Sequence, residues 1–478
     1  MTRRHRVGAV IGVCSALLLT ACGTTVEGKA VSVFDDPFSV AGMPATDGPT
    51  GLRDDAAAPS RVVQGTDDGK IDELARQAVS DIEEFWDSTY GDTFDGQFQA
   101  AETLISWDAN GFEDTEFCGD STYGLVNAGF CYDDRTIGWD RGQLLPGLRD
   151  QYGDMGVTIV LAHEYGHAIQ DQSGMIDDDT PTIVLEQQAD CFAGAYMRWV
   201  AEDKSTRFTL STGDGLNNVM AAVLAFRDPL MNVDDPNAGF DEHGSAFERA
   251  SAFQFGFTDG AGACKAIDVQ EIDQRRGDLP VLLPEKQSGE VDVTEKSVRD
   301  VVDAMNVLFE PSDPPQLSFE KADCADARSP SPASYCPATN TIVVDLDELT
   351  ALGTQSGTDE AGGLVTGDNT AYSVVMARYM QAIQHARGVP LDNAEAALRT
   401  ACLTGVATTK MSTNVTTSDG NTISLTAGDL DEAISGILTN GMVASDVNGE
   451  SVPSGFARID AFRVGVLGDQ DRCFARFE

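Results

Sequence analysis

Residues 160–170 read VLAHEYGHAIQ, and residues 374–384 of the same chain read VVMARYMQAIQ. Both have an apolar lead-in, a Tyr at the same place and an Ala-Ile-Gln ending. Self-similarity over such a distance constrains the fold more than any local pattern does, because two like segments call for two like folding units. Further correspondences follow in the same order. AVSDIEEFW at 78–86 matches SVRDVVDAM at 297–305, both with the spacing of an amphipathic helix. Cys118 and Cys131, ahead of TIGWD at 136–140, mirror Cys324 and Cys336, ahead of TIVVD at 341–345. ADCFAG at 189–194 aligns with TACLTG at 400–405, and LSTGD at 210–214 with LTAGD at 425–429. Arg249-x-x-Ala252-Phe253-x-x-Gly256 precedes Cys264, as Arg458-x-x-Ala461-Phe462-x-x-Gly465 precedes Cys473.

What differs between the copies is chemical. The first carries His163, Glu164 and His167 where the second has Ala377, Arg378 and Gln381. The chain has only five His, so two of them falling in one HExxH is informative. Residues 157–171 contain no Pro and read as a helix, on which positions i and i+4 share a face. Both imidazoles can then reach one Zn²⁺, with Glu164 beside them, placed to act on water rather than on the metal. Gly166 within this helix either permits close approach of a neighbouring strand or of substrate, or is a tolerated glycine. A catalytic zinc site takes three protein ligands. Glu186 and Asp190 stand one turn apart at the start of the next apparent helix. HExxH followed by a helix with Glu and then Asp resembles the gluzincin clan; that resemblance makes Glu186 the third ligand and Asp190 a carboxylate orienting a ligand His, His163 for preference. No third His stands at a metzincin-like spacing. His243, in Asp241-Glu242-His243-Gly244-Ser245, is either a group that stabilises an oxyanion or a surface-loop histidine, and Val452 stands near its place in the second copy.

The N-terminus has its own logic. Arg3, Arg4 and Arg6 precede a short apolar run, Val7 to Leu19, and the segment ends Leu-Thr-Ala-Cys at 19–22. This reads as a lipoprotein signal peptide over 1–21, with lipidation of Cys22 anchoring the protein to a membrane; the alternative is an ordinary cleavage site with an incidental Cys. Residues 22–65, rich in Gly, Pro, Thr, Asp and Ala, read as a lipid-anchored flexible linker. The expected location is the extracytoplasmic face of the cell membrane. Of ten Cys, those other than Cys14 and Cys22 then lie in an oxidising compartment. The pairing that treats both copies alike is Cys118–Cys131, Cys191–Cys264, Cys324–Cys336 and Cys402–Cys473, with buried free thiols as the alternative. The formal net charge of −45 excludes nucleic acid and anionic lipid as partners held by charge. The acidic run at 177–179 is either a Ca²⁺ site or solvated surface.

AHEYGHAIQ at 162–170, LEQQADCFAG at 185–194, the Phe130-Cys131 stretch to Asp140, Gly213-Asp214 and His243-Gly244-Ser245 ahead of Arg249 together resemble the YpfJ-like neutral zinc metallopeptidases of bacteria. The likeness covers roughly residues 70–270. Together with the internal duplication, it implies an α+β fold of two tandem zincin-like (gluzincin) domains, 66–288 with the metal ligands and 289–478 without them. It also implies hydrolysis of peptide bonds at Zn²⁺, with Glu164 as general base and a peptide or protein of the cell envelope as substrate. In similar enzymes substrate pairs with an edge strand, here residues 136–140. That family usually ends at one such unit, whereas this chain adds a second. Two other readings compete: a non-catalytic envelope lipoprotein acting as a binding or scaffold protein, and a metal hydrolase that is not a peptidase. In any of them the second copy is expected to pack on the first, shape its cleft or bind a partner.

Overall fold

Each half of the chain opens with an amphipathic helix. In the computed structural model, which describes residues 38–111, 115–236, 243–356 and 363–478, α1 (Lys70–Thr93) buries Val79, Ile82 and Trp86. Its counterpart α8 (Glu295–Phe309) buries Val298, Val301 and Met305 at the aligned positions.

A three-stranded sheet follows in each. In the first half, β1 (Thr103–Trp107) lies parallel to β3 (Thr136–Asp140), and β2 (Ala128–Cys131) lies antiparallel to it, giving the order β1-β3-β2. In the second half, β4 (Gln316–Ser318), β5 (Ala333–Cys336) and β6 (Thr341–Val344) repeat this as β4-β6-β5. The register is conserved too. Ala128 pairs with Trp139 and Cys131 with Thr136, just as Ala333 pairs with Val344 and Cys336 with Thr341.

The helices also recur in order. The first half continues with α2 (Leu144–Tyr152), α3 (Asp154–Ser173), α4 (Thr182–Ala201), α5 (Asp214–Ala225), α6 (Ala246–Asp259) and α7 (Val269–Arg276). The second continues with α9 (Leu346–Leu352), α10 (Asp368–Ala386), α11 (Ala394–Met411), α12 (Asp429–Thr439), α13 (Gly455–Val466) and α14 (Gln470–Arg476). The structure is thus mixed α+β, with a His/His/Glu group in the first half and none in the second among the described residues.

The shared Cys-x-x-Gly and Ala-Phe-x-x-Gly motifs explain themselves where helices cross. A Cβ on Gly194 of α4 would stand 2.1 Å from the Phe253 carbonyl oxygen of α6, and one on Gly256 would stand 1.7 Å from that of Cys191. At the α11–α13 crossing the corresponding values are 2.2 Å (Gly405 to Phe462) and 1.7 Å (Gly465 to Cys402). Only hydrogen fits at these four positions. A disulfide closes beside each crossing, Cys191–Cys264 and Cys402–Cys473, with sequence separations of 73 and 71. Cys118–Cys131 and Cys324–Cys336 staple the loops before β2 and β5, with separations of 13 and 12. These are the pairs that equal treatment of the copies predicts. Four disulfides point to an extracytoplasmic, oxidising compartment. Among the described residues no helix is long and apolar enough to cross a membrane.

Two expectations need correction. The flexible linker does not run to residue 65. Ser39–Val40 and Met43–Pro44 form a hairpin, Gly51–Leu52 pairs with Phe208–Thr209, and Val40 is wholly buried. Enough apolar and backbone partners are available there to offset the cost of ordering the chain. The expected signal peptide at 1–21, Cys22 and the start of the expected linker lie outside the described residues. The second correction concerns residues 136–140. They form the central strand, hydrogen-bonded on both sides and buried throughout, so they cannot be the edge. The free edge beside α3 belongs to β2.

Candidate metal centre

Helix α3 places His163 and His167 on one face, both 7 % exposed, with Glu164 half-buried between that face and the cleft. Gly166 faces α4: a Cβ there would lie 2.8 Å from Ala189 Cα. The close neighbour is therefore a helix, neither a strand nor substrate. The contact falls between Glu186 and Asp190 and brings both carboxylates to the histidines. In the second copy Met380 occupies the position of Gly166, and the ligand positions hold Ala377, Gln381 and Ala397.

The two imidazoles have fixed orientations. His163 Nδ1–H donates to Asp190 Oδ1 at 2.8 Å, and His167 Nδ1–H donates to Gln170 Oε1 at 2.9 Å. The Gln170 amide is itself oriented by donating to Leu185 O (2.7 Å) and to Gln188 Oε1 (2.9 Å). Each ring therefore turns its Nε2 inward. His163 Nε2 stands 3.0 Å from Glu186 Oε2, and His167 Nε2 stands 3.5 Å from Glu186 Oε1. Tetrahedral coordination with bonds of about 2.0–2.1 Å requires ligand atoms roughly 3.3 Å apart, so this donor set fits a Zn²⁺.

The electrostatics agree with a cation site. Burial would lower the His163 imidazole, yet hydrogen bonds to Asp190 and Glu186 outweigh it and raise it to about 10. Burial would raise Glu186, but its contacts with His163 and His167 hold it well below the usual carboxylate range. Burial lowers His167, favouring its neutral, ligating form. A pocket that holds a proton this firmly between His163 and its carboxylates is one that stabilises positive charge. Glu164 is different: burial pushes it up to about 7, against the pull of His163. It touches the space in front of the histidines without being one of the three convergent ligands.

Arg249 of α6 locks Asp190 in place, Nε to Oδ2 at 2.8 Å and Nη2 to Oδ1 at 2.6 Å, and donates from Nη1 to Phe226 O at 2.5 Å. His243 sits at the open side, its side chain 38 % exposed, with Nε2 3.6 Å from Glu186 Oε2. Its Nδ1 is 3.5 Å from Asp228 Oδ1, and Asp228 also accepts the backbone N–H groups of His243 (3.0 Å) and Gly244 (2.7 Å). Leu144, Ile159, Val160, Ala222, Val223 and Phe226 line an apolar recess next to Glu164. The structure thus gathers His163, Glu164, His167, Glu186, Asp190 and His243 around one cleft.

Residues 19–267 match the family described as "Putative neutral zinc metallopeptidase". The chain belongs to this family. The match covers the half that carries the zinc-type ligand group and ends before the second copy. No curated protein and no solved structure matches the chain.

Within the neutral zinc metallopeptidase half, sequence reasoning missed Arg249 as the partner of Asp190, Asp228 as the partner of His243, and Gln170 as the partner of His167. Arg249 and Gln170 are shared with the second copy, which disguised them as purely structural. Asp228 lies in an acidic chain where one more Asp carries no signal.

The second copy's counterpart of the cleft is filled. Arg378, in the place of Glu164, is 1 % exposed. Its Nε donates to Ala333 O at 2.9 Å, its Nη1 to Ser445 Oγ at 2.9 Å and its Nη2 to Met442 O at 3.3 Å. Ala333 is the residue aligned with Ala128 on the edge strand, so the guanidinium spans the gap that stays open in the first copy.

Proposed function

We propose that this protein is a membrane-anchored, extracytoplasmic zinc metallopeptidase that hydrolyses peptide bonds, with His163, His167 and Glu186 as zinc ligands and Glu164 as general base. The observation that carries the reading is the inward convergence of two Nε2 atoms and one carboxylate, each imidazole fixed from behind by Asp190 or Gln170. A zinc ion held there would supply the Lewis acidity that polarises a scissile carbonyl and acidifies water.

The chain's own groups do the rest. Glu164, with a pKa near 7, takes a proton from the attacking water and returns it to the leaving amine. His243, backed by Asp228, donates from Nε2 to the oxyanion that forms as the carbonyl is attacked. The backbone of β2 receives the substrate. Asp140 N–H bonds to Asn127 O, so by the alternation of an antiparallel ladder Ala128 and Phe130 turn their N–H and C=O groups away from β3, towards an extended peptide. A medium-sized apolar side chain of that peptide fits the recess lined by Ile159, Val160, Val223 and Phe226. Lipidation at Cys22 would hold the site at the membrane surface.

Metal analysis combined with peptide cleavage tests this. Wild type should hold one zinc per chain and cleave a peptide library. Glu164→Gln should hold zinc and lose cleavage by about 100-fold or more. Protein that binds no zinc at neutral pH would refute the reading, and unimpaired cleavage by Glu164→Gln would refute the assigned base. A non-catalytic scaffold would bind zinc, if at all, without cleaving.

A further inference from the structure

The ligand-free copy meets the first along α5 and α6, with Phe456 packed on Phe257 at a ring separation of 5.0 Å. Across this contact the copies exchange helix caps. Asn217 Oδ1 of α5 accepts the N–H of Gly455 at 2.8 Å, where α13 begins. Asp431 Oδ1 of α12 accepts the N–H of Ala246 at 2.9 Å, where α6 begins. Ala246 and Gly455 are aligned positions, so each copy satisfies the same orphan donor at the head of the other's helix.

The two caps are not equal. Asn217 is neutral, whereas Asp431 brings a carboxylate to a helix N-terminus. Its second oxygen stands 3.7 Å from Arg227 Nε, and both side chains are largely buried. Arg227 also donates from Nη1 to Gly363 O of the second copy at 3.0 Å. Asp431 therefore grips both stems of one loop: Arg227, next to Asp228, and Ala246, three residues after His243. Between those stems Asp228 N–H bonds Gly244 O at 3.0 Å, closing the loop on itself. Further along α6 comes Arg249, the clamp on Asp190.

We propose that Asp431, supplied by the copy without ligands, is a positioning residue for the first copy's active site: by capping α6 and pairing with Arg227 it fixes the loop that presents His243. The second copy is then part of the catalytic unit rather than an appendage. This rests on the reading of the first copy as a peptidase with His243 in its site. Asp431 touches none of the three ligands, so it affects catalysis through geometry and leaves the ligand set itself in place.

The test uses the full chain carrying Asp431→Ala, Asp431→Asn or, as a reciprocal control, Asn217→Ala, with amide hydrogen exchange and steady-state cleavage measured side by side. Asp431→Ala should speed exchange at residues 243–250, keep zinc stoichiometric and lower kcat about 10–100-fold, with KM within about twofold. Asp431→Asn keeps an acceptor for Ala246 but loses the charge opposite Arg227, so it should fall between the two. It also serves as the working variant if the alanine protein does not fold. Asn217→Ala should loosen residues 454–459 and leave 243–250 and kcat unchanged. Unaltered exchange at 243–250 in both Asp431 variants, or full kcat despite faster exchange there, overturns the proposal. A wild type without zinc or cleavage sinks the peptidase reading instead; the exchange comparison then still decides whether Asp431 holds the loop.

Discussion

Gly194→Ala offers a sharp test of how the fold builds the metal centre. In a solvent-exposed helix this change is stabilising by about 1 kcal/mol, because alanine is the better helix former. Here the new Cβ would lie 2.1 Å from Phe253 O and 3.1 Å from Phe257 N, both backbone atoms of α6 that cannot rotate away. A carbon–oxygen contact relaxes only at about 3.3 Å, so α4 and α6 must part by roughly 1 Å. Asp190 lies one turn before Gly194, and Arg249 one turn before Phe253. Their hydrogen bonds of 2.6 and 2.8 Å would stretch beyond about 3.5 Å, where they cease to count as bonds. Overpacking costs about 1–3 kcal/mol, and separating a buried ion pair adds to that, so a net loss on the order of 3 kcal/mol is expected. Freed from Arg249, Asp190 holds His163 less firmly, and zinc affinity should drop about 10–100-fold. Gly405→Ala is the matched control: its Cβ would stand 2.2 Å from Phe462 O, at a crossing with no metal ligands. Denaturant midpoints and zinc competition against a chelating dye, measured on both variants, separate the effects. Both proteins should lose stability, but only Gly194→Ala should lose zinc affinity. Equal zinc affinity in the two, or wild-type stability in Gly194→Ala, would refute the reasoning.

Other expectations follow from the same geometry. Asp190→Asn should weaken zinc binding about 10-fold while preserving the fold, since an amide still reaches His163 but no longer pairs with Arg249; competition with the same dye measures it. Arg378→Leu should destabilise the chain by about 1–3 kcal/mol, read from the denaturant midpoint, because it strands the Ala333 carbonyl, whereas the Met442 carbonyl keeps the Ser445 hydroxyl, and it should not confer zinc binding on the second copy. Glu290, Asp368 and Glu432 bring carboxylate oxygens within 4.8 Å of one another, and burial, with neighbouring carboxylates adding to it, pushes Asp429 to about 8 and Asp368 to about 7. These pKa values are raised in the folded state, so the folded chain binds more protons. The cluster's contribution to stability should be fully present near pH 4 and below and be lost as pH rises towards 8. Asp429→Asn should recover on the order of 2 kcal/mol at pH 8 and nothing near pH 4; an unchanged slope of melting temperature against pH would count against it.

Much of the fold was legible because it was written twice. The helix pair, the Cys pairs and the glycine motifs each stood in two copies, which marked them as parts of the folding unit, while the reason for the glycines, a helix crossing with no room for a Cβ, lies in the contacts. The sheet was less so. TIGWD at 136–140 has the β-branched and aromatic character of a strand, but its place in the middle depends on β1, whose TLISW has no recognisable twin in the short QLS of β4. Residues 38–65 looked like a tether because their composition is polar and glycine-rich. What orders them is a partner, Phe208–Thr209 and the hydroxyls of Ser211 and Thr212, more than a hundred residues away. Local composition cannot reveal such a partner.

The comparison of the two copies works as an internal control, and the structure shows where that control fails. It separates the convergent group from the scaffold: His163, His167 and Glu186 stand where the second copy has Ala377, Gln381 and Ala397. It misplaces the residues that hold the ligands. Gln170 is shared as Gln384, which ties α10 to α11 by donating to Thr400 Oγ1 and accepting from Arg399. Arg249 is shared as Arg458, which donates to the Ile437, Leu438 and Val452 carbonyls instead of a carboxylate. In both copies the glutamine joins the same two helices, and the arginine reaches the C-terminal end of the preceding helix (Phe226 O after α5, Ile437 O and Leu438 O in α12), so each has a structural task; the bond from Arg249 to α4 has no counterpart in the second copy. In the first copy they also fix His167 and Asp190. The convergent group of the first copy thus stands on tertiary contacts, several of which the second copy makes without it. The second copy has much of that scaffold, with Arg378 in the place of Glu164 and its hydrogen bonds filling the corresponding cleft.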